Sequence, residues 1–267
     1  MDLTFNSIIN YVAKHSGINL GQYRESYIRR RIELRMKSVG CTNLEEYYKF
    51  LRKNGKKEVE KLINTIAINV TEFMRDVTPF EKFMDIVLKD IARKKENVRS
   101  NIIRIWSAGC ANGEEPYTIA MCIYETLGKN WNFTIYATDI DEDSLEKGRV
   151  GIYEKQQLKN LKEEWIKKYF ERDGEKFRVK GFLKKHIRFK RHDLTTEPPV
   201  SRFFDVIFCR NVVIYFNEDQ KLKVFNDFYN ALVTGGYLII GKSETLPGEF
   251  KDKFEVVDIR DKIYKKI

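Results

Sequence analysis

The spacing of apolar residues changes at about residue 75. Before that point, apolar residues recur every three or four positions, as they do on one face of an amphipathic helix. Gly17, Gly21, Gly40 and Gly55 interrupt the pattern and predict breaks between successive helices. Residues 1–75 are therefore predicted to form a small all-helical domain without strands.

Beyond residue 75, short apolar runs alternate with helical patterns, which is typical of a parallel sheet covered by helices. Strands are predicted at residues 102–106, 133–138, 187–191, 204–209 and 237–241, and a closing antiparallel pair at 254–257 and 262–265. Helices are predicted at 79–93 and at 225–232, the second ended by Gly235 and Gly236. Residues 76–267 are therefore predicted to form an α/β domain with a doubly wound sheet.

One stretch of this α/β domain departs from the alternation. A highly charged helical segment containing Trp165, Ile166, Tyr169 and Phe170 is followed by short apolar segments at 177–180 and 181–183. We expect an inserted subdomain with a small antiparallel sheet at about residues 154–186.

A glycine loop joins the first predicted strand to a helix. It has the spacing Gly109-x-x-x-Gly113, which differs from the G-x-G-x-x-G phosphate loop and lacks a following Lys-Ser/Thr. Glu114 and Glu115 begin the helix, and two carboxylates there repel phosphate but suit a cationic ligand. Asp139 ends the second strand, where an acid commonly binds ribose hydroxyls. The ligand indicated is a nucleoside with a cationic tail, S-adenosylmethionine; the alternative is an unspecialised loop with surface acids.

The net charge of +10, from 49 basic and 39 acidic residues, indicates an anionic partner. Residues 20–57 alone hold eleven Lys and Arg against four Asp and Glu, so much of the excess lies in the helical domain. Arg24, Arg31 and Arg35 share a narrow stripe of one predicted helix. Repulsion among them favours contact with an acidic surface, and a solvated helix face is the alternative.

The residue counts argue against a metal centre and against secretion. The four cysteines have no C-x-x-C spacing and there are only three histidines, so no metal is expected. Reduced cysteines in a cytoplasmic protein are expected instead. The amino terminus lacks a signal-peptide pattern, and no apolar run approaches about 18 residues, so membrane insertion is not expected.

Several segments resemble one protein family when taken together. They are NVTEFMRD from residue 69, WSAGCANGEEPYTIA from 106, ATDID from 137, SLEKGRVGIY from 144, CRNVVIYF from 209 and GGYLIIGKSE from 235. In this order they are similar to the chemoreceptor glutamate methyltransferases of bacterial chemotaxis, the CheR family. The resemblance implies a Rossmann-like fold and transfer of a methyl group from S-adenosylmethionine to glutamates of methyl-accepting chemotaxis receptors. It implies S-adenosylhomocysteine as product, receptor cytoplasmic domains as partners, a monomer, and no nucleic acid.

The resemblance also implies which residues perform these tasks. The cofactor-binding residues would be Asn69, Thr71, Arg75, Ala108, Gly109, Glu115, Asp139, Asp193, Leu194, Asn211 and Val212. Arg75 and Tyr215 would act at the substrate carboxylate, and Arg31, Arg35 and Lys37 would bind the receptor. Three alternatives remain open: Thr71 as a helix cap, Asp193 as a loop cap, and Tyr215 as a core aromatic.

The absence of a recognisable base or nucleophile in the sequence agrees with carboxylate methylation, because glutamate is already ionised at neutral pH. An RNA methyltransferase and a non-catalytic cofactor-binding module are alternatives. Some family members also bind a receptor tether peptide at the inserted sheet, next to a glycine-rich turn. Here residues 171–177 contain Gly174 as their only glycine, so we expect that this protein does not bind the tether.

Overall fold

A computed structural model describes residues 3–66 and 71–267 of the chain. These residues divide into two compact units. The first unit contains residues 3–66 together with Asp193–Pro198 and Tyr215–Val224. The second contains residues 71–192, Pro199–Ile214 and Phe225–Ile267. Within the described residues, no helix is both long and apolar enough to cross a membrane.

Three helices build most of the first unit, as the apolar spacing predicts. They are α1 (Leu3–Ser16), α2 (Glu25–Ser38) and α3 (Leu44–Ile66). Both α1 and α2 pack against α3 through buried aliphatic side chains. The break predicted at Gly55 is present: α3 consists of two helical halves that meet at a kink with non-helical backbone angles. The kink occurs at Gly55, whose φ of 56° and ψ of −136° are readily adopted only by glycine.

The remaining helices accompany the sheet. They are α4 (Thr78–Lys82), α5 (Lys89–Asn97), α6 (Glu114–Leu127), α7 (Glu142–Val150), α8 (Glu163–Tyr169), α9 (Gly181–Lys184) and α10 (Glu218–Ala231). A π-helical segment, Phe83–Leu88, joins α4 to α5 and makes them one continuous helical stretch. The helix predicted at 79–93 is therefore present, but it begins and ends outside those limits.

In the described ranges 3–66 and 71–267, ten strands form two sheets. They are β1 (Ile102–Ala108), β2 (Asn132–Asp139), β3 (Ile152–Tyr153), β4 (Phe170–Asp173), β5 (Lys176–Val179), β6 (Ile187–Arg191), β7 (Phe204–Cys209), β8 (Leu232–Ile240), β9 (Phe254–Asp258) and β10 (Ile263–Lys266). The large sheet has the order β6-β2-β1-β7-β8-β10-β9, with parallel pairing from β6 to β8 and antiparallel pairing at β10 and β9. The predicted doubly wound α/β sheet is confirmed.

The order of the strands locates a crevice at the carboxyl end of β1. From β1 the chain continues to β2 and β6 on one side, and β7 and β8 lie on the other side. Ala108 pairs with Thr138 and Asp139 pairs with Arg191, so the carboxyl ends of β1, β2 and β6 are level. Ligands of open α/β sheets bind where the strand order reverses in this way.

The predicted inserted antiparallel sheet is also confirmed, with differences in detail. Strands β3, β5 and β4 form a separate three-stranded sheet that begins at Ile152. Phe170 starts β4 instead of continuing the charged helix, and the apolar segment 181–183 lies in α9. A stretch of four residues with one buried side chain, Leu183, is too short for its pattern to separate helix from strand.

The prediction that Gly235 and Gly236 end a helix is wrong. Helix α10 ends at Ala231, and both glycines lie inside β8. They form an irregularity in the pairing with β7, where Gly235 has a φ of 72°. A Cβ on Gly236 would lie 2.9 Å from the carbonyl oxygen of Val233. The glycines therefore allow a strand to bend, a use that the sequence alone does not distinguish from a helix end.

Candidate active site

The glycine loop is fixed to the end of β2 by its own backbone. The N–H groups of Gly109 and Cys110 both donate to the carbonyl oxygen of Thr138, at 2.8 and 2.9 Å. Gly109 has a φ of 80°, and a Cβ there would lie 2.3 Å from Cγ2 of Val212. Both the conformation and the close approach require glycine. The loop after β1 and the turn after β7 are thus in direct contact.

Asp139 lies at the end of β2, opposite this loop, as predicted. Its Oδ2 accepts the N–H of Ala111 at 2.8 Å, and its Oδ1 accepts the N–H of Asp141 at 3.0 Å. Burial raises the pKa of this carboxyl above its usual value. A carboxylate has about four acceptor positions, so Asp139 is able to accept a hydroxyl group in addition to these N–H groups. Ribose binding by Asp139 remains a prediction.

The two glutamates at the start of α6 have different surroundings. Glu115 accepts a hydrogen bond from Ser107 Oγ at 2.7 Å and lies 3.6 Å from Nη1 of Arg210. Glu114 is fully buried and accepts a hydrogen bond at 2.6 Å from Nε2 of Gln157, which precedes α8. Burial raises the pKa of Glu115 and raises that of Glu114 to about 7. Glu114 therefore has a protein partner inside the fold, and a role for Glu115 beside a cationic ligand remains a prediction.

Arg75 lies in an unusual backbone segment. Met74, Asp76 and Val77 have φ values of 52°, 66° and 37°, a region that costs a non-glycine residue about 1–3 kcal/mol. The N–H of Met74 donates to Thr118 Oγ1 at 3.1 Å. Nη2 of Arg210 donates to the carbonyl oxygen of Arg75 at 2.9 Å. Strain that neighbouring groups hold in place is typical of functional segments.

Glu244 shapes the turn that follows β7. Its carboxylate accepts the N–H groups of Asn211 at 3.0 Å, Val212 at 2.9 Å and Gly241 at 2.6 Å. This arrangement holds Asn211 at a φ of 60°. Nδ2 of Asn211 is buried and has no hydrogen-bond partner among the described residues. A buried donor of this kind suits a bound ligand with an acceptor group.

Asp193, in the first unit, caps a loop. Its Oδ1 accepts both the N–H and the Oγ1 hydroxyl of Thr195, at 2.8 and 2.6 Å. Its Oδ2 is buried and has no partner within the described part of the chain. The loop-capping interpretation is therefore confirmed, and a second acceptor remains for an amino group such as that of adenine. The carbonyl oxygen of the adjacent Leu194 accepts from Lys223 Nζ at 3.4 Å.

Tyr215, also in the first unit, is half-buried and is not a core aromatic. Its ring stacks on that of Tyr27, with centroids 4.5 Å apart and planes inclined by 27°. The N–H of Arg24 donates to its carbonyl oxygen at 2.9 Å. Burial raises the pKa of Tyr27 to about 12, and the Tyr27 hydroxyl donates to the carbonyl oxygen of Ile66. The α2 helix and the turn that carries Tyr215 are therefore packed together.

The basic residues of α2 differ in how exposed they are to a binding partner. Arg35 forms two hydrogen bonds with Glu58, of 2.8 and 2.7 Å, and Tyr47 also donates to Glu58. Arg31 lies over the ring of Tyr27, whereas Lys37 is exposed. The expectation that the stripe needs an external acidic surface is wrong for Arg35, because Glu58 supplies the opposite charge. Receptor binding by Arg31, Arg35 and Lys37 remains a prediction.

The second unit brings several of the predicted residues together. Arg210 contacts both the Arg75 carbonyl and Glu115, and Glu244 binds the N–H groups of Asn211 and Val212, the residues that follow Arg210. Ala108 ends β1, and Thr71 is half-buried near the start of the unit. Asn69 lies outside the described residues. The sequence analysis did not identify Arg210 or Glu244 as site residues. The signal that could have found them is a charged residue at or just beyond the end of an apolar strand, in CRNVV and IIGKSE.

These residues fit S-adenosylmethionine by their charge and their unpaired groups. Glu115 lies near the guanidinium groups of Arg210 and Arg75, and Arg210 is also paired with Asp76. A sulfonium beside Glu115 would favour the ionised carboxylate, and the unpaired Nδ2 of Asn211 is able to donate to an acceptor group of the ligand. The described residues contain no group of three His, Cys, Asp or Glu side chains that could hold a metal ion.

Comparisons with known proteins identify the family of the chain. Residues 3–67 match the CheR methyltransferase all-alpha domain, and residues 69–263 match the CheR methyltransferase SAM binding domain. The chain is 39% identical over 247 residues to the chemotaxis protein methyltransferase of Borreliella burgdorferi, covering 90% of this chain and 87% of that protein. It is 34% identical over 252 residues to the Escherichia coli chemotaxis protein methyltransferase, covering 91% and 84%.

Solved structures show a weaker similarity. A TehB-like SAM-dependent methyltransferase from Corynebacterium glutamicum has a TM-score of 0.37 and 14% identity, covering 67% of this chain and 95% of that one. A similarity this low carries no argument about individual residues. The two family domains and the curated relatives extend over most of the sequence, as the sequence resemblance implied. The chain is an S-adenosylmethionine-dependent methyltransferase and belongs to the CheR family.

Proposed function

We propose that this protein methylates glutamate side chains on the cytoplasmic helices of chemotaxis receptors, forming methyl esters. The observation that carries the proposal is the similarity, over about nine-tenths of the chain, to curated chemotaxis protein methyltransferases. The arrangement around Arg75 supports it, because a guanidinium near the Glu115 carboxyl group provides one charge for a carboxylate substrate and the opposite one for a cationic cofactor.

The chemistry requires no general base. A glutamate side chain, with an ordinary pKa of about 4.3, is already an anion at neutral pH. S-adenosylmethionine, when bound, supplies a methyl group on a sulfonium centre, so the new carbon–oxygen bond forms as the carbon–sulfur bond breaks. The protein mainly has to orient the carboxylate and exclude water.

Each candidate residue has a proposed task. Glu115, Asp139, Asp193 and Asn211 hold the cofactor through charge and hydrogen bonds, and Arg75 and Tyr215 orient the substrate carboxylate. Binding by Arg75 in the ground state must stay modest, because a tight ion pair would weaken the oxygen as a nucleophile. The strained backbone beside Arg75 fits this task, since it limits where the guanidinium is able to lie.

We further propose that the protein acts in the cytoplasm as a monomer and recognises receptors mainly through α2. Arg30, Leu34 and Lys37 are exposed on this helix, so it offers an apolar side chain flanked by two cations. Such a surface suits the acidic, amphipathic helices of an unmethylated receptor.

The proposal is tested by offering the enzyme two polyanions under identical conditions. Purified protein is incubated with radiolabelled S-adenosylmethionine and either a receptor cytoplasmic fragment or structured RNA, at physiological salt. We expect label in the receptor fragment, and none after its methylatable glutamates are changed to alanine. Label in RNA alone would replace the proposal with an RNA methyltransferase, and cofactor binding without transfer to either would favour a non-catalytic module.

A further inference from the structure

Arg210 is a buried cation with an unusual set of partners. It directly follows β7, and only 2% of its side chain is exposed. A buried guanidinium is stable only when opposite charges and hydrogen-bond acceptors surround it. Its Nη2 donates to Asp76 Oδ2 at 2.7 Å and to the carbonyl oxygen of Arg75 at 2.9 Å. Its Nη1 lies 3.6 Å from Glu115 Oε2, and the group lies over the ring of Phe80.

Two of these partners belong to the strained segment around Arg75. Asp76 is itself in the left-handed region, as are Met74 and Val77. Beyond the strained segment, Thr78 Oγ1 donates to Asp261 Oδ1 at 2.5 Å. Met74 is fixed through Thr118, as described above. Met74 and Thr78 thus fix the two ends of this segment, and Arg210 holds its middle by binding Asp76 and the Arg75 carbonyl. The backbone at Arg75 sets the direction of the Arg75 side chain.

The third partner belongs to the proposed cofactor site. The contact with Glu115, at 3.6 Å, is longer than a hydrogen bond, whereas the contact with Asp76 is short. Glu115 is therefore free to respond to a cation placed beside it, and Arg210 experiences any change in the charge around Glu115. Nε of Arg210 has no partner in the described part of the chain, so the guanidinium is not locked from every side.

We propose that Arg210 is a positioning residue that couples occupation of the cofactor site, through Glu115, to the backbone that aims Arg75. A cation beside Glu115 weakens the attraction of Arg210 to Glu115 and strengthens its hold on Asp76 and on the Arg75 carbonyl. The substrate-orienting arginine is then set only when the methyl donor is present. This inference rests on the proposed function for the roles of Glu115 and Arg75.

The test uses one variant that weakens the contact between Asp76 and Arg210, and one that changes Arg210 itself. Asp76→Asn removes the charge of a side chain that is 36% exposed and leaves Arg210 beside Glu115. Arg210→Lys keeps the buried charge but loses the forked geometry that reaches two acceptors. Asp85→Asn is the matched control. It also changes an aspartate to asparagine, but it removes only an exposed ion pair with Lys89, within the helical stretch that joins α4 to α5.

The first readout does not depend on activity. Hydrogen exchange of the backbone amides at residues 74–80 is followed with and without S-adenosylhomocysteine. In the wild type and in Asp85→Asn we expect the ligand to slow this exchange, and in Asp76→Asn and Arg210→Lys we expect the slowing to be lost. Ligand-dependent protection that is equal in all four proteins would overturn the proposal.

The second readout separates positioning from folding. In receptor methylation we expect Asp76→Asn to lower kcat by about tenfold or more, with the melting temperature little changed. A loss of kcat that only parallels a loss of melting temperature in both variants would show a purely structural role. If the wild type and Asp85→Asn fail to methylate the receptor fragment, the proposed function fails, and the exchange experiment still decides the coupling.

Discussion

Tyr27 of α2 stacks on Tyr215, with ring centroids 4.5 Å apart. Tyr27 is held at its other end by a hydrogen bond to the carbonyl oxygen of Ile66, and the backbone of Tyr215 is held by Arg24. The ring of Tyr215 therefore has a defined orientation. The helix proposed to meet the receptor thus directly positions a side chain proposed to orient its glutamate.

Changing either proposed substrate-orienting residue should affect the rate more than the stability. Tyr215→Phe keeps the stack on Tyr27 and removes only the hydroxyl, and Arg75→Ala removes a half-buried side chain. We expect the methylation rate to fall by about tenfold or more in each, with little change in melting temperature. Tyr11→Phe, on α1, is the control and should leave both quantities unchanged. An unfolded Tyr215→Phe variant would instead show that the Tyr215 hydroxyl has a structural role.

Asp139→Ala should weaken binding of S-adenosylhomocysteine by about 1–3 kcal/mol, the scale of losing hydrogen bonds to a charged group. Part of the loss would come from Ala111 and Asp141, whose N–H groups lose their acceptor. Asp139→Asn keeps one acceptor oxygen and should lie between the wild type and the alanine variant. Isothermal titration calorimetry measures all three, and an unchanged affinity in Asp139→Ala would rule out a role for this acid.

The basic residues of α2 should separate into two classes. Arg31→Glu combined with Lys37→Glu should slow association with a receptor fragment and reduce its salt dependence, while the cofactor affinity stays unchanged. Arg35→Glu should instead destabilise the fold by about 3–5 kcal/mol, because it leaves the buried Glu58 beside a like charge. Stopped-flow association and urea unfolding measure the two effects. If all three changes slowed association equally and none lowered stability, Arg35 would belong with Arg31 and Lys37. Lys14→Glu on α1 is the control.

A peptide titration tests whether the inserted sheet binds a receptor tether peptide. Strands β4 and β5 are joined by the short turn at Gly174, without the glycine-rich turn of tether-binding family members. We expect a titration with the isolated aromatic and acidic tether peptide to give no saturable signal. Saturable binding at micromolar concentration would show that the missing glycines do not prevent strand addition.

Glu114 should make the stability depend on pH. Its pKa is raised to about 7 in the folded protein, so between pH 4.5 and 7 the folded state binds more protons than the unfolded state. Folding is therefore weakened as the pH rises through this window, by at most about 3 kcal/mol. Glu114→Gln keeps the partner Gln157 and removes the charge. It should raise the free energy of unfolding at pH 8 and change it little at pH 5.

Urea unfolding at both pH values gives this comparison. Glu163→Gln, an exposed glutamate in the first turn of α8, is the matched control and should give no pH-dependent difference from the wild type. A Glu114→Gln variant that is no more stable than the wild type at pH 8 would show that Glu114 is not held in its protonated form.

The sequence predicted those parts of the structure that depend on neighbouring residues. All six residues of β7 are buried and five of them are apolar, so the strand was recognisable, and Gly109 was marked by its place after β1. Contacts between distant residues were not recognisable. Glu244 holds the turn at Asn211 from 33 positions away, and Glu58 neutralises Arg35 from 23. No local pattern shows that such charges will meet.

The proposed product of this protein is a glutamate methyl ester. The most direct measurement is base treatment of a receptor fragment labelled by this protein with methyl-tritiated S-adenosylmethionine, followed by collection of volatile label. Carboxyl esters release methanol under these conditions, whereas methylated amines, thioethers and nucleobases keep the methyl group. We expect nearly all protein-bound label to appear as volatile methanol, and we expect labelling to require Arg75. Label that stays on the fragment after base treatment would contradict the proposed product.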